Sequence, residues 1–288
     1  MGRRGWLNVG MLAAVASLVV VWVLAPDADG PPLPLLTDVD VAALTELRVE
    51  APGQTPAVLR RQGGVWRLAA PVDSAADPAQ VERVLGLFTA LSVQQYSLGE
   101  QEPAVFGLEP PKAVLGGGGV ILVFGKLDPL NYRRYVQVGD VLHLIQHSDI
   151  SMLTAGWPLF VDTRLVAPEH EIVALTLPEV GVVRRRDGHW QVEGDAPADV
   201  EALVQAWREV RAVAVERLTP VETSRFVMIE YAGEVAPLRL SVISEEDGLV
   251  LGRADLGVEY HFTAAQARRL WGRGDLTADE AHDHSVLH

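Results

Sequence analysis

Three short stretches hold residue types that could do chemistry. His147-Ser148-Asp149 contains the three groups of an acyl-transfer triad. A triad needs three directions of approach to one reacting atom, which neighbours in sequence rarely supply. Ser148 or Asp149 capping a short following helix accounts for the same residues. Gly116–Gly119 followed by Lys126 ("GGGGVILVFGK") has the glycines and lysine of a phosphate loop. No Ser or Thr follows the lysine, and a strand-like run follows the glycines, so the stretch reads as a hairpin turn. His282, His284 and His288 lie among Asp279, Glu280 and Asp283, donors that suit a divalent metal. We read them as an exposed polar tail. His261 alternates with Tyr260 and Phe262 as a strand residue, and His143, His170 and His189 are isolated. There is no cysteine, no G-x-S-x-G elbow, and no carboxylate pair stands out. The sequence therefore assigns no catalytic, cofactor-binding or metal-ligating residue, and no cofactor.

One segment reads as a contact site. Gly125–Gln137 ("GKLDPLNYRRYVQ") gathers Lys126, Tyr132, Arg133, Arg134 and Tyr135 in a chain of formal net charge −14. Arg and Tyr are enriched where proteins touch. Tyr132, Arg133 and Arg134 are expected to project into solvent and bind an acidic partner surface. The same acidic balance repels phosphate backbones and argues against nucleic-acid binding.

These residues must be held by a scaffold, and the sequence writes that scaffold twice. "GGVWRLAAPVDSAADPAQVERVLGLFTAL" (Gly63–Leu91) is echoed by "RDGHWQVEGDAPADVEALVQAWREV" (Arg186–Val210). Each copy reads as strand, tight turn, strand, then helix. The turns are Gly63-Gly64 and Asp187-Gly188, and Trp66 matches Trp190. Asp77 caps the first helix with Pro78 at its first position and Gln80 two residues on. Pro197 takes the place of Pro78, with Ala196 at the cap unless Asp195 serves. Val81, Val84, Leu85, Phe88 and Leu91 make one apolar face, repeated by Val200, Leu203, Val204, Trp207 and Val210. "DVLHLIQHSDISML" (Asp140–Leu153) parallels "GVEYHFTAAQARRL" (Gly257–Leu270) as a strand followed by a short helix. The expected class is α+β, with two related domains of antiparallel sheet plus helix, residues 44–166 and 167–275.

The Trp-strand, the Asp-Pro helix start, Phe106-Gly107-Leu108-Glu109-Pro110-Pro111, the Tyr-containing strand "RRYVQVGDVLHLI" and "LFVDTRLV" resemble the bacterial family called "domain of unknown function 4340". The first copy carries the resemblance; the second lacks the Phe-Gly-Leu-x-Pro-Pro motif. The resemblance implies an N-terminal anchor, an exported body and an accessory role, in some members beside ABC-type transport components. It supplies no catalytic residue.

The first residues agree with that implication. Gly5–Ala25 carries no charge, and about 20 apolar residues span a bilayer as a helix. Arg3 and Arg4 precede the run, and Asp27 and Asp29 follow it, which predicts the N-terminus inside. The run is longer than a signal-peptide core and Pro26 spoils cleavage after Ala25, so an uncleaved anchor is expected. Segments 1–4 (cytoplasmic), 5–26 (transmembrane), 27–43 (Pro-rich linker) and 276–288 (tail) complete the reading. The expected protein is a single-pass inner-membrane protein with a periplasmic body, acting as a binding or adaptor module, for instance as an accessory to an ABC-type transport or envelope system. An exported hydrolase or glycan-modifying enzyme, and a structural spacer, are the alternatives.

Overall fold

The computed structural model describes residues 32–99, 101–146, 149–195 and 197–273. The expected anchor at 5–26, the segment before it, His147, Ser148, Ala196 and the tail at 276–288 lie outside the described residues. Among the described residues no helix is long and apolar enough to cross a membrane.

Two antiparallel sheets make up most of the chain. The first contains β1 (Glu46–Glu50), β2 (Ala57–Gln62), β3 (Val65–Ala70), β4 (Ser74–Ala75), β5 (Ser92–Ser97), β6 (Ala113–Gly117), β7 (Val120–Leu127), β8 (Arg134–Val138) and β9 (Val141–Ile145), in the order 4-3-2-1-6-7-8-9-5. The second contains β10 (Ile172–Leu177), β11 (Gly181–Arg186), β12 (His189–Glu193), β13 (Ala214–Arg217), β14 (Phe226–Tyr231), β15 (Leu238–Ser244), β16 (Gly248–Arg253) and β17 (Val258–Thr263), in the order 12-11-10-14-15-16-17-13. Without the short β4 the two orders coincide strand for strand.

The ladders agree residue by residue. Arg61 pairs with Trp66 across the Gly63-Gly64 turn, and Arg185 with Trp190 across Asp187-Gly188. Both tryptophans are half-buried and pack against the core. Leu47 faces Leu59 as Leu175 faces Val183. Val136 pairs with His143 as Leu251 pairs with Tyr260.

The α+β class is corrected by these sheets: the fold is mostly β. The helices are α1 (Pro78–Phe88), α2 (Ser151–Thr154), α3 (Val200–Glu209) and α4 (Ala264–Leu270), with 11, 4, 10 and 7 residues. A helix is about 10–12 Å wide and strands lie about 4.8 Å apart, so one helix covers little more than two strands. One amphipathic helix per copy is therefore a minor element beside sheets of nine and eight strands.

Each main helix buries its apolar stripe. Val81, Val84, Leu87 and Phe88 are buried in α1; Leu203, Val204 and Trp207 in α3. Asp77 accepts from the N–H groups of Ala79 and Gln80, as its sequence position predicts. The second helix starts later than Pro197 predicts. Ala196 has no side-chain acceptor, and Asp199 caps instead, accepting from Ala202 N at 2.8 Å. Leu91 also falls outside the helix and is 48% exposed.

The end of the linker belongs to the first sheet's edge. Ser92 N donates to Pro34 O and Leu36 N to Ala90 O, and Leu36 is buried. At the other end, Trp157–Val166 joins the copies. Ala76 bridges Val161, Arg164 bridges Arg211, and the buried residues of both copies form one continuous cluster.

Candidate functional site

The connection from β7 to β8 holds the expected contact residues. Asp128 is buried, and its Oδ2 accepts from both the backbone and the side-chain amide of Asn131, at 3.1 and 3.2 Å. Its N–H donates to Arg133 O and its carbonyl accepts from Tyr132 N. Tyr132 takes a left-handed φ of 54° within this closed turn. A turn supported from inside pushes its remaining side chains outward: Leu130 is 84% exposed and Tyr132 69%.

The two arginines part company. Arg133 is half-buried and has no ion-pair partner among the described residues. Arg134 turns inward, donating Nη1 to Gly125 O at 2.8 Å. The β7–β8 register slips between Phe124 and Leu127, and a bulge frees a carbonyl that the guanidinium then satisfies. Burial lowers the Arg134 pKa from its usual value, and the charge of Asp149 opposes that shift. Tyr132 and Arg133 thus form the outward surface, and Arg134 braces the turn beneath it. In the second copy the equivalent connection is Glu245, Glu246 and Asp247, where Glu245 is tied to Arg225.

The Phe-Gly-Leu-x-Pro-Pro segment is a strap over the outer face of this same corner. The 3-10 turn Pro103–Phe106 stops at Gly107, whose φ of 68° is left-handed. The strap presses on β7 at Gly125, where a Cβ would lie 2.3 Å from the Phe106 carbonyl oxygen. The Phe106 ring packs on Tyr135 with centroids 5.1 Å apart. Tyr135 is the cross-strand partner of Leu144, and on this face Leu142 and Leu144 are buried apart from the main core. Burial pushes the Tyr135 phenol pKa up, helped by Asp128 and Tyr96.

A cleft of about 470 Å³ lies between the two copies, lined by Arg67, Ser74, Asp162, Arg164, Arg253 and Tyr260 among others. Domain junctions of this size commonly hold ligands. Of its two carboxylates Glu169 is exposed and Asp162 is committed. Asp162 Oδ2 accepts from Arg164 Nη2 at 2.8 Å and Nε at 3.0 Å, and Oδ1 from Arg164 N at 3.0 Å. That hydrogen bonding raises the Arg164 pKa. Burial pushes the Tyr260 phenol up, against the pull of Arg253. The Ser74 hydroxyl is buried with no hydrogen-bond partner among the described residues. The cleft offers donors and acceptors for recognition.

The remaining motifs resolve structurally. Asp149 accepts from Ser151 N at 2.8 Å and Ser151 Oγ at 2.9 Å, opening α2. Gly118 and Gly119 form the turn from β6 to β7, and Lys126 lies near the far end of β7. His143 is buried, 3.0 Å from Ser92 Oγ through Nδ1, and burial lowers its pKa. His170 packs on Tyr231. His261, read as a plain strand residue, stands beside Glu259 and Glu216, and ligand atoms of the three lie within 4.8 Å of one another.

Compared with known proteins, the chain matches no family model, no curated protein and no solved structure.

Proposed function

We propose that this chain is a membrane-anchored binding or adaptor protein of the bacterial envelope. Its N-terminal segment spans the inner membrane with the N-terminus inside. Its two sheet domains stand in the periplasm, as an accessory to a transport or other envelope system. The docking surface is the β7–β8 turn, with Leu130 and Tyr132 outward and Arg133 beside them. One observation carries this reading. Two copies with the same strand order differ at this connection: the first holds an apolar and aromatic tip with an unpaired cation, the second an acidic turn tied down by Arg225. On a body of net charge −14, that cation steers an acidic partner toward one place.

A photocrosslinking amino acid placed at Tyr132, and separately at Glu246 in the second copy, tests this in native membranes. We expect a defined adduct from position 132, absent from 246, and reduced at least about tenfold by Arg133→Glu, a cost typical of an interface contact. Melting temperature should stay nearly unchanged, because Arg133 holds no ion pair among the described residues whose loss would cost stability. Equal adducts from both positions, or an adduct insensitive to Arg133→Glu, would remove the turn as the docking surface.

A further inference from the structure

The two copies share a ladder, so each outer-face position in one has a counterpart in the other. Gln95 pairs with His143 and Tyr96 with Leu142 across β5–β9; Val215 pairs with Tyr260 and Glu216 with Glu259 across β13–β17. With His143 and Tyr260 equivalent, Tyr96, Leu142 and Leu144 correspond to Glu216, Glu259 and His261. All three residues of an apolar patch in the first copy are replaced by metal-ligand types in the second. In the first copy the patch adjoins the strap; in the second the corresponding β13–β14 connection is shorter and lacks the Phe-Gly-Leu-x-Pro-Pro motif.

The three replacements are close enough to share an ion. His261 Nε2 lies 3.2 Å from Glu259 Oε1 and 4.0 Å from Glu216 Oε2. Zinc bonds of about 2.0–2.2 Å in tetrahedral geometry put donors about 3.3–3.6 Å apart. The exposed Glu216 side chain needs only a small swing to reach that spacing. Glu259 is buried, and its other oxygen accepts from Thr219 N at 2.9 Å, which fixes its orientation as second-shell contacts do around metals. Glu216 and Glu259 are direct cross-strand partners, and like charges so placed destabilise a sheet. A dication turns that repulsion into coordination.

We propose that Glu216, Glu259 and His261 bind a divalent transition-metal ion of the zinc class. Imidazole with two carboxylates suits zinc, cobalt, nickel or manganese better than calcium or magnesium, which take oxygen ligands. The exposed side leaves room for water or a partner's ligand. Because β13 is the edge strand of its sheet, the ion staples that edge to β17.

Calorimetric titration of the full chain in detergent with zinc chloride alone tests the site. His282, His284 and His288 are first replaced by Asn, so that the tail cannot supply the signal. We expect one zinc per chain. Glu259→Gln and His261→Leu should each weaken binding at least about 10–100-fold, the loss seen on removing even an outer-shell partner. His261→Leu installs the first copy's own residue and Glu216→Gln changes an exposed group, so these two keep the test decisive if the buried Glu259→Gln variant misfolds. In the parent, zinc should slow amide exchange in β13. No zinc bound once the tail histidines are gone, or binding unchanged in His261→Leu and Glu216→Gln, would overturn the proposal.

Discussion

Replacing Trp207 by Phe tests how the second copy is closed. Trp207 is fully buried on α3, and its Nε1–H donates to Leu270 O in the last turn of α4 at 2.8 Å. Its ring meets Trp271 edge-on with centroids 6.2 Å apart. The first copy closes the matching place with Phe88, also fully buried. Trp207→Phe therefore keeps an aromatic filler and removes one defined contact. Stranding the Leu270 carbonyl costs about 1–3 kcal/mol, and the lost ring atoms add about 1 kcal/mol. The expected destabilisation is about 2–4 kcal/mol. With a urea slope of about 2 kcal/mol per molar, the midpoint falls by about 1–2 M. Trp190→Phe is the control: Trp190 is only half-buried and donates no hydrogen bond among the described residues, so its cost should stay below about 1 kcal/mol. Amide exchange in Ala264–Leu270 should accelerate in Trp207→Phe alone. Equal costs for the two variants, or unaltered exchange in α4, would refute the view that this hydrogen bond ties α3 to α4.

Two further outcomes follow from local contacts. Burial lowers the His143 pKa, so below its unfolded value of about 6.5 the folded chain binds fewer protons and stability rises with pH. Urea stability should thus fall as pH drops from 7 toward 5, by up to about 1.4 kcal/mol per unit from this group, and His143→Asn should flatten that component. Asp199→Ala should cost about 0.5–2 kcal/mol in chemical denaturation through loss of the α3 cap, whereas Asp195→Ala should change little.

Local signals in the sequence were legible where the backbone depends on one or two residues. The turns at Gly63-Gly64 and Asp187-Gly188 take the positive φ values that their sequence demands. The Asp77 cap and the matched tryptophans follow the same logic. The start of α3 departs from the repeat alignment: Pro197 sits where Pro78 does, but the helix begins where Asp199 can cap it. Leu91 was placed on the helical stripe by spacing alone, while the helix ends at Phe88. Antiparallel hairpins with few helices read as α+β. Width decides instead, because a single helix cannot cover eight strands. Arg134 was expected outward with its neighbours, and only a register slip, invisible in sequence, supplies the carbonyl that draws it in. The Glu216, Glu259 and His261 cluster depends on pairing between strands far apart in sequence. The one local signal was Glu259-Tyr260-His261, whose first and third side chains share a strand face.

The strap and the cluster explain each other physically. The inner faces of the two sheets follow one plan, since both must close a core. The outer faces are free to diverge, and the residues at three matched positions set what must happen above them. Leu142 and Leu144 each gain about 1.5–3 kcal/mol from burial, so the first copy benefits from a segment that covers them. The Phe106–Pro111 strap lies beside them: Phe106 packs on Tyr135, the cross-strand partner of Leu144, while Gly107 turns the segment and Gly125 lets it settle on the sheet. Glu216, Glu259 and His261 gain nothing from such a cover, because carboxylates and imidazole are best served by water, donors or a cation. Here the shorter β13–β14 connection crosses instead, and its Thr219 supplies one N–H to the buried Glu259. The cover also shapes the β7–β8 turn: the bulge beside the strapped Gly125 draws in Arg134 and leaves Tyr132 and Arg133 at the rim.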